Sequence, residues 1–99
     1  MIGYRFLSAA EEEMSEAAVF YEAASVSLGS DFLDDVQQVV NTLCVHPEIG
    51  AQVDVNLRRV LLHWFPFSLI YSVEADAILI VSLAHHRQRP GYWKSRMDR

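Results

Sequence analysis

The spacing of apolar residues changes once along this chain, and the change limits what it can fold into. From Met14 to Leu43 they recur at steps of three and four: Met14, Ala17 or Ala18, Tyr21, Ala24 and Leu28, then Phe32, Leu33, Val36, Val39, Val40 and Leu43. That is the repeat of helices with one buried face. Val53, Val55 and Leu57 instead alternate with Asp54, Asn56 and Arg58, and Phe67, Leu69, Tyr71 and Val73 with Ser68 and Ser72, which is the period of half-buried strands. The switch falls at His46-Pro47-Glu48-Ile49-Gly50, where proline disfavours helical geometry in the residue before it. With 99 residues there is room for one core. The expected fold is α+β, a single domain over residues 1–99.

The local signals refine that outline. Tyr4 to Leu7 reads as a short strand, and Ser8-Ala9-Ala10-Glu11 has the form of a capping box opening a helix. Glu11, Glu12, Glu13 and Glu16 sit in its first turns, where the helix dipole favours anions. Gly29 is expected to end this helix in the left-handed conformation, with Ser30 or Asp31 capping a second. The polar side of that second helix takes Asp34, Asp35, Gln37, Gln38 and Asn41. A second strand is expected from Val53 to about Leu62, a third after the break at Pro66, and a turn at Glu74-Ala75-Asp76. Ile78-Leu79-Ile80-Val81-Ser82-Leu83 is apolar at nearly every position, as in a strand covered on both faces. The order is β-α-α-β-β-β, a helical hairpin on a small antiparallel sheet.

An apolar content of 52% sets the chain apart from disordered sequences. The longest purely apolar run, Ala77 to Val81, is too short to cross a bilayer, and Met1-Ile2-Gly3-Tyr4-Arg5 lacks the features of a signal peptide, so a cytoplasmic protein without a membrane partner is expected. Cys44, alone, has no internal disulfide partner and reads as a core thiol. The net charge of −5 is divided unevenly: residues 1–57 carry one base against ten acids, and residues 58–99 seven bases against three acids. A positive end on an acidic body steers anionic partners locally.

Most of the bases lie near the end of the chain, where His85-His86-Arg87-Gln88-Arg89-Pro90-Gly91-Tyr92-Trp93-Lys94-Ser95-Arg96 interleaves cations, imidazoles and aromatics beyond the apolar strand. His46, His63, His85 and His86 show no tight metal spacing, and no serine lies in a nucleophile elbow, so neither a metal nor a cofactor is expected.

Taken in order, the helical hairpin, His46-Pro47-Glu48-Ile49-Gly50, Leu57-Arg58, Pro66-Phe67-Ser68-Leu69-Ile70-Tyr71-Ser72-Val73, Ile78-Leu79-Ile80-Val81-Ser82-Leu83-Ala84-His85 and the closing His85-x-Arg87-x-Arg89-Pro90-x-x-Trp93 resemble the ParE branch of the RelE/ParE toxins. The resemblance spans nearly the whole chain. It implies the toxin of a type II toxin-antitoxin pair, held inactive by a cognate antitoxin. It also implies one of two targets, since ParE-like members block DNA gyrase and RelE-like members cut messenger RNA on the ribosome.

The two targets ask different things of the same residues. RNA cleavage needs a base, an acid and cations for the developing phosphorane charge. Arg58 and Arg59 are candidates to hold phosphate, Arg87 and Arg89 to stabilise the transition state, His85 or His86 to move protons, and Tyr92 or Trp93 to stack on a base. RelE-like members carry lysines on the second and third strands and are strongly basic, whereas here Lys94 is the one lysine and the net charge is negative. Inhibition by binding needs only aromatic and arginine anchors, for which Arg87, Arg89, Tyr92, Trp93 and Trp64 are suited. Beside that stands a plainer reading, in which Trp64 is core at a strand end and Tyr92 and Trp93 fold back over the sheet. Target inhibition without catalysis ranks ahead of RNA cleavage, and an inactive binding module is a third reading.

Overall fold

The computed structural model describes residues 2–97. Two helices, α1 (Ser8–Ala24) and α2 (Leu28–Val45), follow strand β1 (Gly3–Phe6). Strands β2 (Ala51–Asp54), β3 (Leu57–Leu61), β4 (Phe67–Val73) and β5 (Ala77–His85) come next, and a 3₁₀ turn at Lys94–Met97 ends the described chain. The sheet order is β1-β5-β4-β3-β2. Every pair is antiparallel except β1 with β5, which is parallel, so the sheet is mixed where an antiparallel one was expected. The whole helical hairpin intervenes between β1 and the rest of the sheet, and such a crossover allows strands to run the same way.

The expected second strand is two. A tight turn at Val55-Asn56 separates β2 from β3, with Asn56 at φ 64°, a left-handed conformation that asparagine tolerates well. The apolar alternation runs through the turn unbroken, yet Val55, in phase with Val53 and Leu57, is the tip and is 77% exposed. Asp54 steadies the tip by accepting the Val55 N–H at 2.8 Å.

The helix boundaries also differ from the sequence expectation. Ser8 is already helical, Leu7 is the N-cap, and no side-chain cap bond forms, so the Ser8–Glu11 capping box is not made. Ser27, not Gly29, takes the left-handed conformation between the helices, at φ 72°. Neither Ser30 nor Asp31 caps α2. Its first amides are met from α1 instead, by a Glu22 carboxylate that accepts the Ser27 and Gly29 N–H groups at 3.0 Å each.

Gly29 is required for another reason. A Cβ built on it would lie 2.4 Å from the backbone oxygen of Ala18, so the glycine lets the two helices approach closely.

α2 buries Phe32, Val36, Val39, Val40, Leu43 and Cys44 against one sheet face, where they meet Leu69, Tyr71, Ile78, Ile80 and Leu83. Leu33, expected on that side, is exposed, while Asp35, expected on the polar side, is only 2% exposed. Its carboxylate accepts the His63 N–H at 3.1 Å and the Trp64 N–H at 2.8 Å, pinning the loop between β3 and β4. Phe65 of that loop packs edge-on against Tyr21 and Phe32. On the opposite face Leu57, Ile70, Leu79 and Val81 form a second, smaller core with Trp93. β5 is therefore covered on both faces, as its unbroken apolar run predicts. No helix among the described residues is long and apolar enough to cross a membrane.

Gly29→Ala separates helix propensity from packing. Alanine would gain about 1 kcal/mol as a helix former, but forcing its methyl against the Ala18 carbonyl costs about 1–3 kcal/mol, and the clash is with backbone that cannot move aside. A net loss of stability is expected in urea unfolding; a more stable variant would show that the helices part at no cost.

Candidate functional site

The sheet face that carries the second core is only partly covered. Next to Trp93 a groove of about 420 Å³ opens along β3, β4 and the end of β5, its far wall formed by the segment after β5. Strand alternation turns Arg59 and Leu61 of β3 into it and turns Arg58 away. The Arg58 guanidinium donates instead to the carbonyls of Gly50 at 2.8 Å and Glu48 at 3.2 Å, bracing the Pro47 turn. Tyr71 serves the same turn, donating its hydroxyl to the Pro47 carbonyl at 2.7 Å and accepting the Gly50 N–H at 3.0 Å.

Arg59, Arg89 and Lys94 bring three basic side chains to the groove, with His85 and His86 at its end. Among the described residues no acidic side chain lines it, so on a chain of net charge −5 this concavity is locally positive. Low-dielectric walls around charges of one sign strengthen the field there. The imidazoles are held by their neighbours. His86 Nε2 lies 3.1 Å from Ser68 Oγ, and His85 stacks edge-on against Phe67 while its Nδ1 accepts the Arg87 N–H at 3.0 Å. Arg87 is exposed beside the groove but does not line it.

The aromatics expected at the site divide three ways. Trp93 is 6% exposed and packs on Leu57, Ile70, Leu79 and Val81, so its indole holds the segment down. Tyr92 is turned away from the groove into a polar cluster. Its hydroxyl donates to Glu13 at 2.6 Å and lies 3.0 Å from Ser82 Oγ. Burial and the bond to the Glu13 carboxylate push the Tyr92 phenol up to about 12, so it is a neutral donor near pH 7. Trp64 is 83% exposed, on the loop pinned by Asp35, and borders a different cleft with Asp31, Asp34 and Gln38.

Glu13 and Arg96 were not singled out from the sequence, yet they tie this region together. Arg96 meets the Glu13 carboxylate with both guanidinium nitrogens, at 2.8 and 3.1 Å, and donates to the Val81 carbonyl at 3.0 Å. Glu13 also accepts Ser82 Oγ–H at 3.0 Å and the Leu83 N–H at 3.1 Å. Burial pushes the Glu13 carboxyl up, but the bonds from Arg96, Tyr92 and Ser82 and the Arg96 charge outweigh it and hold it below the usual carboxylate range. In the sequence, Glu13 is one of four acids favoured by the α1 dipole, and nothing local marks it from Glu12 or Glu16. Its partners lie roughly 70 to 83 residues away.

Of the residues put forward from the sequence, the groove thus gathers Arg59, His85, His86, Arg89 and Trp93, and adds Lys94. Arg58, Tyr92 and Trp64 lie elsewhere. Arg99 falls outside the described residues.

Comparison with known proteins agrees with this architecture. A family model described as the ParE toxin of type II toxin-antitoxin system, parDE, matches residues 4–90. None of the curated proteins matches. Among solved structures the chain is similar to one titled "Chromosomal ParDE TA system from P. aeruginosa", with a TM-score of 0.61 and 16% sequence identity over 86% of this chain and 96% of that one. At that identity the likeness is one of fold. The family match covers β1 through the groove-lining Pro90, and on that ground the chain belongs to the ParE toxins of type II toxin-antitoxin systems.

Proposed function

We propose that this toxin acts by binding and inhibiting a protein target, DNA gyrase, without breaking a bond in it, and that a cognate antitoxin neutralises it. The observation that carries the reading is the groove of Arg59, Arg89 and Lys94, which no carboxylate lines among the described residues. It suits the recognition of anionic groups. Proton transfer is less well served. The Tyr92 phenol is pushed up to about 12 and committed to Glu13, and the Trp93 indole is packed into the second core rather than offered to a base. Trp64 supplies a further contact from the edge of the molecule. Its backbone is fixed by Asp35 while its ring stands in solvent, the arrangement of a rigid aromatic anchor. The cytoplasm, where gyrase and antitoxin would be met, is part of the same proposal.

Purified toxin should inhibit DNA supercoiling by gyrase and leave messenger RNA intact in a translating extract. Arg89→Ala or Lys94→Ala should each weaken inhibition about 5- to 10-fold, as for charged groups at an interface rim, and added salt should weaken it further. Codon-positioned cuts that disappear in a His86→Ala variant would make the chain an enzyme instead. Co-expression of a short neighbouring DNA-binding protein should restore growth and give a complex stable to size exclusion.

Trp64→Ala should leave unfolding within about 0.5 kcal/mol of the parent, because the ring touches little. It should weaken target binding by about 2 kcal/mol or more if the indole is an anchor. Unchanged inhibition would remove Trp64 from the interface.

A further inference from the structure

The parallel strand β1 pairs with β5 from Ala77 to Ile80 and then leaves, its last contact being the Leu7 N–H on the Ile80 carbonyl at 2.9 Å. On that side no strand of the described residues lies beside the rest of β5. Its backbone groups are met by side chains: the Val81 carbonyl by Arg96, the Leu83 N–H by Glu13 and the His85 N–H by Gln88 Oε1 at 2.9 Å. An open strand edge is a place where another chain can pair. Here it is closed by an ion pair whose acid comes from α1 and whose base comes from the C-terminal segment.

From this arrangement we propose that Glu13 is the positioning residue of the groove: its carboxylate seals the open edge of β5 and latches the C-terminal segment, so that Arg89 and Lys94 stand where the groove needs them. The inference rests on the groove being the binding surface. Tyr92 and Arg96 lie beyond residues 4–90, the part of the chain that the family match spans. Arg89 and Lys94 are exposed, and the segment that bears them is bound at two kinds of contact. Trp93 packs on the smaller core, a contact that is strong but non-directional. Tyr92 and Arg96, on either side of it, end on the same carboxylate, a contact set by direction. Among the described residues Ser82, Tyr92 and Arg96 share no other acid, so loss of Glu13 leaves the Leu83 amide without its acceptor and reduces Arg96 to its single bond with the Val81 carbonyl and Ser82 to its contact with Tyr92.

The test compares Glu13→Ala, Glu13→Gln, Arg96→Ala and Arg96→Lys in the full chain. Amide hydrogen exchange is read at Leu83, Lys94 and Arg96, and emission from Trp93 is read with Trp64 changed to Phe for the spectroscopy alone. Glu13→Ala and Arg96→Ala should each speed exchange at those amides about 10- to 100-fold relative to β4, the range expected for losing bonds to a charged group. Trp93 emission should shift to the red. Glu13→Gln keeps an acceptor and Arg96→Lys keeps a cation, and both should recover part of the protection, which a mere loss of packing would not predict. If Glu13→Ala does not fold, Arg96→Ala and Arg96→Lys decide the matter from the other partner. Parental exchange and emission in both alanine variants would overturn the latch, whatever their toxicity. A loosened segment with undiminished inhibition would leave the latch standing and refute the groove as the binding surface.

Discussion

β5 has to be covered twice. Ile78, Ile80 and Leu83 face one way and Leu79 and Val81 the other, and all are buried. A chain of 99 residues with one helical hairpin can cover one face of its sheet with helices. The other face falls to whatever chain remains after β5, and Trp93 does most of that work. An indole buries about 150–250 Å², on the order of 5 kcal/mol as an upper figure at ~25 cal/mol per Å². The Glu13–Arg96 pair, with both side chains about a fifth exposed, contributes less than that ring does. Its part is to choose one placement of the segment among those that bury the tryptophan equally well.

Three carboxylates carry much of the polar organisation, and each holds backbone amides of another segment. Glu22 meets the start of α2, Asp35 the loop before β4 and Glu13 the open side of β5. A carboxylate that accepts two or more N–H groups joins elements more rigidly than apolar contact, because hydrogen bonds fix direction as well as distance. The acidity of the first half is therefore partly structural. Exposed acids such as Asp31 and Asp34 remain on the helical side, and the groove on the other side collects bases. This division of charge lets a chain of negative net charge present a locally positive surface.

The groove is a by-product of how the second face is closed. Trp93 covers the middle of that face, while β3 and the end of β5 extend past it and leave Arg59 and Leu61 exposed and Ala84 half-buried around an open concavity. Packing and binding thus share one segment, and the same residues that complete the core define the walls of the site. The basic groove depends on Glu13, which lies on α1 and whose hydrogen-bond partners Ser82, Leu83, Tyr92 and Arg96 are outside the lining.

The change of period at Pro47 determined the α+β class, the helical hairpin, and the identity of β4 and β5, because a 3.6-residue or two-residue repeat is a local property that sequence carries directly. So was the concentration of bases after β5. Other features were not legible there. The hairpin at Val55-Asn56 kept the strand period through its turn, and the parallel pairing of β1 depends on where a crossover returns. Asp35 and Glu13 looked like solvent-facing acids because their amide and arginine partners are 28 to 83 residues distant. Only the tertiary structure could separate Arg59 from Arg58, put Trp93 inside and Trp64 outside, and bring Glu13 under Arg96. Which side chains share a surface is settled by how elements close on one another, and that closure is written in no single stretch of the chain.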